Sequence, residues 1–297
     1  MSPLSARLGA ALDRPIDPAV TAFARQLGEE AQARAVLFYG SNLRTGSLEG
    51  VLDFYVLLPG PAERGIWPRV SYREHEHDGR KLRAKVATMN LATFQRAARG
   101  ESLETTIWAR FVQPSALAWS AEGQRREEIA GALEAAACTA ARLAAALGPP
   151  SGTEDDYWRA LFRATYQAEL RVEAAGREDS ILSFNRAHFT GLLPLALAEA
   201  GVSFRQEADL IEPRQDPTER RRILGWWARR RRLGKVINLA RLARAATTFE
   251  GGMRYVAWKV ERHTGLPVKV TPVREKFPLL AVPDVLRVLW RARRSAR

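Results

Sequence analysis

Residues 36–58, VLFYGSNLRTGSLEGVLDFYVLL, limit the possible folds more than any other part of the sequence. Two apolar runs, both rich in aliphatic and aromatic residues, are joined by a loop that contains three glycines and two serines. Apolar runs of this length, bounded by turn residues, are typical of β-strands. The stretch therefore predicts two neighbouring strands, with Gly40 and Ser41 at the end of the first and a lone acid, Asp53, inside the second.

The segments around these strands carry further strand and helix signals. Residues 18–34 have the apolar spacing of an amphipathic helix, residues 81–91 are rich in strand formers, and residues 90–99 favour a helix. The first part of the chain, residues 1–120, is therefore predicted to be a domain that combines helices with a sheet.

From about residue 121 the sequence becomes rich in Ala, Arg, Leu and Glu, which predicts long helices. We expect them at 122–147, 154–175 and 184–200, with Thr153 as the N-cap of the second. These segments make up a mainly helical domain at 121–205, and a strongly basic C-terminal region follows at 206–297. The whole chain is thus predicted to belong to the α+β class.

The charge balance favours a polyanionic partner. The 297 residues include 46 lysines and arginines against 33 acids, which gives a formal net charge of +13. Nucleic acid, anionic lipid and a phosphorylated substrate all fit this surplus.

The single cysteine and the apolar segments limit the class of protein. Cys138 has no second cysteine to pair with in the chain, and its alanine-rich surroundings predict a buried thiol. The N-terminus lacks the apolar segment of a secretory signal, and no apolar run approaches the ~18–20 residues of a transmembrane helix. We therefore expect a cytoplasmic protein that is soluble or peripheral to a membrane.

A strand that ends in Gly-Ser, followed by a second strand with an inward acid, is typical of nucleotidyltransferases. Gly40 would allow the backbone to approach a triphosphate, and the Ser41 N–H and hydroxyl could hold phosphate oxygens. Asp53 would supply an oxygen ligand to Mg²⁺. Tyr55 stands where a second acid is usual, and a plain hairpin with a capped aspartate is the alternative interpretation. The first domain is accordingly predicted to contain a nucleotidyltransferase-like mixed sheet.

Six segments resemble motifs of one family in the same order along the chain. "FYGSN" and "LDFYVLL" look like the YGS and LDF signatures of the mitochondrial phosphatidate cytidylyltransferases, peripheral CDP-diacylglycerol synthases of the translocator assembly and maintenance family, which have bacterial relatives. The segments that resemble later family motifs are "GRKLRAKVATMNL" (79–91), "ARFVQP" (109–114), "TYQAELR" (165–171) and "NRAHF" (185–189). The resemblance spans roughly residues 36–195. Ala168 and Glu169 stand where the family has glycine and aspartate.

This resemblance implies a function and a set of site residues. It implies transfer of a cytidylyl group from CTP to phosphatidic acid with Mg²⁺, at the inner face of the cell membrane. Asp53 and Glu169 would be the metal ligands, and Lys85 would join them as a catalytic residue. The residues implied to bind the substrates are Gly40, Ser41, Asn42, Arg83, Arg110, Arg171, Asn185 and His188.

The chemistry of this transfer needs cations more than it needs a base. A phosphomonoester has a second pKa near ~6 and is largely dianionic at neutral pH, so it can attack without a strong general base. Arg83 and Lys85 are two residues apart on a predicted strand and therefore share one face, where they could hold phosphates. Arg110, between aromatic residues, could form a half-buried phosphate fork.

Each of these residues also has a structural interpretation. Arg83 and Lys85 could lie on a solvated edge strand, and Arg110 could pair with a structural carboxylate. Arg171 could be a surface charge, because it does not share a helix face with Glu169. Asn185 and His188 share a helix face, and a histidine in this context is more often part of the core.

The segment "YREHEHDGR" (72–80) alternates histidines with acids, which suggests a metal site. His75 and His77 would lie on the same side of a strand. The segment is polar and ends in Asp-Gly, however, so we interpret it as a solvated hairpin turn.

The basic C-terminal region is expected to contact a membrane. "ERRRILGWWARRRRLGK" places Trp226 and Trp227 among arginines, and residues 277–297 resemble an interfacial amphipathic helix. Nucleic acid is the less favoured partner, and a helix with a solvated arginine-rich face is the third interpretation. Two alternative functions stay open: a nucleotidyltransferase that acts on RNA or another acceptor, and a catalytically inactive nucleotidyltransferase-like binding module.

Overall fold

The computed structural model describes residues 2–65, 68–122, 126–168 and 177–248, together with Trp258. Glu169, Arg171 and residues 277–297, for which the sequence makes predictions, lie outside the described residues. The protein is of the α+β class, as predicted, with a mixed sheet and several helical segments.

The main sheet has five strands in the order β3-β4-β2-β1-β5. They are β1 (Ala35–Tyr39), β2 (Leu52–Leu58), β3 (Arg69–His77), β4 (Arg80–Asn90) and β5 (Ser115–Ser120). Strands β2 and β4 are parallel, and the other neighbouring pairs are antiparallel. A separate two-stranded sheet pairs β6 (Phe204–Glu207) with β7 (Leu210–Pro213).

The described helices surround the main sheet. They are α1 (Pro3–Leu12), α2 (Pro18–Glu30), α3 (Ser41–Thr45), α4 (Leu91–Ala98), α5 (Thr106–Phe111), α6 (Arg126–Leu147), α7 (Glu154–Ala168), α8 (Arg177–Phe184), α9 (Arg186–Phe189), α10 (Leu192–Glu199) and α11 (Pro217–Thr248).

The two faces of the main sheet bury different cores. On one face, α2 packs over alternate residues such as Phe54 of β2. On the opposite face, Tyr55 and other sheet residues join a larger core built from α1, α4, α5, α6, α7 and α10. This core contains side chains from both sides of the predicted domain boundary at residue 120. The two domain boundaries, after residues 120 and 205, stay predictions.

Most of the predicted elements agree with the structure, and one does not. Helix α7 begins after Thr153, whose N–H and hydroxyl both donate to the Asp156 carboxylate in the first turn. The helix expected at 184–200 is wrong as a single element, because the chain bends at Asn185 and again at Gly191. Gly191 has a φ of 74°, a left-handed conformation that ends a helix and that glycine adopts without strain.

The segment 72–80 forms more regular structure than a turn. Residues through His77 extend β3, and the turn itself is Asp78-Gly79, whose φ values are 48° and 71°. Two positive φ values are the signature of the tight turn that suits the twist of a hairpin. The hairpin is therefore confirmed, and most of the polar segment is one of its strands.

Helix α6 illustrates how a core helix can resemble a membrane span. It is 22 residues long with a hydropathy of 1.3, and among the described residues it alone is long and apolar enough to cross a bilayer. Of its most apolar window, 67% is buried inside the protein.

Candidate functional site

The ends of three strands bring a row of polar side chains together on the face of the larger core. Tyr39 on β1 pairs with Asp53 on β2, which in turn pairs with Lys85 on β4. Residues in register across neighbouring strands share a face and lie within side-chain reach. Lys85 and Arg83, two apart on β4, therefore lie on one face of the sheet, as predicted.

Gly40 and Asp53 are in contact. Gly40 lies at the junction of β1 and α3 with a φ of 90° and a ψ of −160°, a conformation essentially restricted to glycine. A Cβ atom at this position would lie 2.8 Å from the Asp53 Oδ2 atom. The turn therefore leaves room for the carboxylate, and the acid faces the Gly-Ser turn.

Ser41 and Asn42 follow in the short helix α3. Ser41 is exposed, and its hydroxyl donates to the Asn42 Oδ1 atom over 3.4 Å. The buried Asn42 amide donates to the carbonyl oxygens of Ser47 and Glu49, at 2.8 Å each. Asn42 thus fixes the loop between α3 and β2, and its role in substrate binding stays a prediction.

Three cations act on the charge of Asp53. Burial raises the pKa of its carboxyl above the ordinary value, while the charges of Lys85, Arg110 and Arg44, in that order, oppose the rise. Arg110 comes from α5, and its guanidinium lies 5.4 Å from the centre of the Tyr39 ring. An acid among three cations makes this end of the sheet electropositive and suited to a bound anion.

Arg83 lies one step further along β4. Its Nε atom lies 3.7 Å from a Glu74 oxygen, and its guanidinium lies 5.6 Å from the Trp258 ring centre. Lys81 also pairs with Glu74, at 2.8 Å. The structure thus places Arg83 among charged partners on the sheet face, rather than at a fully solvated edge.

Asp53 is the acid that the structure places against the Gly40 turn, where a metal ion is predicted. No group of three or more His, Cys, Asp and Glu side chains that could hold a metal occurs within the described part of the chain. Mg²⁺ is often held by one or two carboxylates together with substrate phosphates and water. The Asp53 carboxylate fits one ligand of an ion of that kind, with phosphate oxygens and water as the others.

Asn185 and His188 make structural contacts. The Asn185 amide donates to the Ile181 carbonyl at 2.8 Å, inside the core. The His188 Nε2 atom lies 2.9 Å from the Val112 carbonyl oxygen, and burial lowers the pKa of the imidazole to about 4. His188 is therefore neutral at physiological pH and joins α9 to the end of α5, and its role toward substrate stays a prediction.

The tryptophans of the basic region are part of the core. Trp227 is 4% exposed and contacts Trp108, while the Trp226 indole N–H donates to the Gly100 carbonyl at 3.1 Å. Arg230, 5% exposed, donates to the carbonyls of Gly100 and Ser102, at 2.6 Å each. The prediction that Trp226 and Trp227 lie at a membrane interface is therefore wrong, because both rings pack inward and attach α11 to the protein.

Cys138 and the pair of histidines in residues 72–80, also singled out in the sequence, make contacts typical of structural residues. Cys138 is partly buried against the larger core, and burial raises the pKa of its thiol to about 12, so it is unreactive at neutral pH. The imidazoles of His75 and His77 stack with centroids 6.0 Å apart, and the His75 Nδ1 atom lies 2.6 Å from the Gln26 side-chain oxygen.

Sequence reasoning missed Arg44 and Tyr39. Arg44 lies in the short helix α3, three residues after Ser41, and a basic residue soon after the Gly-Ser pair is the available signal. Tyr39, directly before Gly40, supplies the ring beside Arg110. Neither contact follows from local pattern, because each partner comes from another element.

A scan against protein-family models finds no match for the chain, and a search of curated proteins finds none either.

Proposed function

We propose that the protein is a Mg²⁺-dependent CTP:phosphatidate cytidylyltransferase with a nucleotidyltransferase-like sheet. The observation that carries the proposal is the Asp53 carboxylate against the Gly40 turn, with Lys85, Arg110 and Arg44 close enough to act on its charge. A turn without a side chain, an acid and several cations are what a metal-bound triphosphate requires. The order of strand, Gly-Ser turn, short helix and antiparallel acid-bearing strand also supports it.

Each group of this site has a role in the proposed transfer. Asp53 and Glu169 would hold the Mg²⁺ ion, and when bound the ion neutralises charge on the phosphates. Gly40 permits close approach of the triphosphate, and the exposed Ser41 can donate to it from its N–H and hydroxyl. Lys85 and Arg110 would bind phosphate oxygens and reduce the repulsion between the two anionic substrates.

The proposed transfer needs no general base from the protein. A phosphate oxygen of phosphatidic acid attacks the α-phosphorus of CTP, while the bond from that phosphorus to the bridging oxygen of the β-phosphate breaks. The electron pair of the broken bond leaves with pyrophosphate. Because the attacking phosphate is already largely dianionic at neutral pH, catalysis would depend on positioning and electrostatics.

The exposed arginines of α11 support contact with an anionic membrane surface. Its exposed members are Arg220, Arg221, Arg222, Arg229, Arg231 and Arg232. Each basic residue near such a surface contributes roughly 1 kcal/mol of attraction. The protein would then meet its lipid substrate as a peripheral protein, and salt would release it from anionic vesicles.

Labelled CTP with Mg²⁺, supplied with either phosphatidic-acid vesicles or total RNA, tests the proposal. Label in lipid is the expected result, label in RNA would indicate an RNA-modifying enzyme, and no transfer would indicate a binding module. Asp53→Asn should lower transfer by at least ~10³-fold, since the site loses its metal ligand.

A matched variant separates this effect from a general loss of charge. Asp209→Asn changes an exposed acid between β6 and β7, far along the chain from the site, and should keep full activity. Retention of activity in folded Asp53→Asn would refute the proposed role of the acid.

A further inference from the structure

A cavity of about 620 Å³ lies beside the Asp53 site. It is lined by loop residues 48–50, by residues 80–83 of β4 and by Trp258. Arg83 precedes Lys85 by two residues on the same face of β4, so its Cα lies about 6.6 Å along the strand from the row that contains Asp53. The cavity therefore adjoins the proposed triphosphate site without coinciding with it.

The cavity has cations of its own. Arg80, Lys81 and Arg83 line it, whereas Lys85, Arg110 and Arg44 act on Asp53. The two sets share no member. The proposed reaction brings together two substrates that each carry a charged phosphate, and each needs separate positive charge to be held close to the other.

Glu74 forms ion pairs with two of the cations that line the cavity. It pairs with Lys81 and Arg83 and accepts a hydrogen bond from the Tyr72 hydroxyl at 3.0 Å. Although burial acts against ionisation, the hydrogen bonds from Lys81 and Tyr72 lower the pKa of its carboxyl, so it stays charged at neutral pH. Two cations on one strand are thus oriented by a common acid.

Arg83 contributes a planar guanidinium to the lining of the cavity. Its Nε atom lies 3.7 Å from a Glu74 oxygen, within ion-pair distance but beyond the distance of a hydrogen bond. The planar guanidinium also matches the geometry of a phosphate.

We infer that this cavity binds the phosphate monoester that accepts the nucleotidyl group. The inference rests on the proposed function and deepens it by assigning the two anions to separate sets of cations. A phosphate monoester carries about −1.5 to −2 charges at neutral pH. Arg80, Lys81 and Arg83 complement this charge in a lining that also contains the acid Glu49. Leu48 and Trp258 add apolar surface at the same cavity.

Equilibrium binding tests the inference without requiring turnover. The full-length protein is titrated with dioctanoyl phosphatidic acid below its micellar concentration, with glycerol 3-phosphate, and with CTP plus Mg²⁺. Arg83→Gln should weaken binding of the phosphate monoester at least tenfold and leave CTP binding within twofold. Lys85→Gln should do the reverse, and Lys81→Gln provides a second variant of the cavity.

The control is Arg25→Gln, on α2 at the opposite face of the sheet, which should change neither affinity. Binding of both monoesters through Arg83 would mean that the phosphate alone is recognised, and binding of the lipid alone would assign the source to phosphatidic acid. Either result supports the inference. It is overturned if neither monoester binds, or if Arg83→Gln weakens CTP as much as the monoester.

The two proposals fail in different ways. One outcome is that Arg83→Gln weakens only monoester binding and Lys85→Gln only CTP binding, while no label moves from CTP to lipid or RNA. That result would refute the proposed transfer and support the assignment of the cavity. If label moves to lipid but Arg83 variants change only the apparent affinity for CTP, the transfer stands and the assignment of the cavity falls.

Discussion

Asp53 and Arg230 are both charged groups at sites that the protein withdraws from water, and their surroundings differ. The charge of Asp53 is opposed by the side chains of Lys85, Arg110 and Arg44. The guanidinium of Arg230 instead lies over the Trp226 ring and donates to backbone carbonyls of residues 100–102. The charge of Asp53 is opposed by charged side chains, whereas the charge of Arg230 is held by main-chain carbonyls.

This difference separates the functional candidates from the structural ones. Polar side chains that form hydrogen bonds to main-chain carbonyls stabilise the junctions between elements, as at Arg230, Asn185 and His188. The cluster around Asp53 costs stability, because burial raises the pKa of that acid in spite of the cations nearby. Sites that bind charged ligands commonly carry such a cost.

The largest stability effect is expected at Arg230. Arg230→Ala leaves the carbonyls of Gly100 and Ser102 without their charged donor and should lower the free energy of unfolding by about 3 kcal/mol. Arg229→Ala, at the exposed neighbour, should change it by less than ~0.5 kcal/mol. Chemical denaturation measures both, and equal effects would remove the distinction between the two regions.

His188 should make stability depend on pH. Its pKa falls from 6.5 to about 4 in the folded protein, so the stabilisation is complete above pH 6.5 and is lost as the pH falls toward 4. The contribution is about 3 kcal/mol over that interval. His188→Gln, which can still donate to the Val112 carbonyl, should flatten the pH profile of unfolding.

The matched control for that profile is Ala187→Gln, which places the same amide at the exposed neighbouring position of α9 and adds no titratable group. It should leave the dependence on pH unchanged. A wild-type slope that persists in His188→Gln would mean that another group is responsible, and that the burial of His188 does not set the slope.

A smaller and opposite effect is expected at Asp53. Because the folded protein raises the pKa of this acid, it favours the protonated form, and stability is lost as the pH rises through the folded pKa. Asp53→Asn removes the buried charge and should therefore raise the melting temperature at pH 7, with the gain vanishing at acid pH. A lower melting temperature at pH 7 would show that the cations outweigh burial.

Features that depend on residues close together in the chain could be predicted from the sequence. The strands around Gly40 and Asp53, the Asp78-Gly79 turn and the cap at Thr153 follow from residues close together in the chain, and the structure contains them. Gly40 and Asp53 were expected to face one site, and they are in contact.

Features that depend on distant partners could not be predicted. Trp226 binds a carbonyl 126 residues away, and the His188 imidazole binds one 76 residues away. A Trp-Arg cluster has the same composition at a membrane surface and in a core, so only the packing of α11 decides between them. The break of the helix expected at 184–200 likewise reflects packing of its pieces against the larger core.

The central claim is that Asp53 and the Gly40 turn bind a nucleotide triphosphate with a divalent ion. The most direct measurement is a calorimetric titration of CTP into the wild-type protein and Asp53→Asn, with and without Mg²⁺. Mg²⁺ is expected to strengthen binding to the wild type and to have no such effect in Asp53→Asn. No binding to the wild type, or the same Mg²⁺-dependent binding in both proteins, would contradict it.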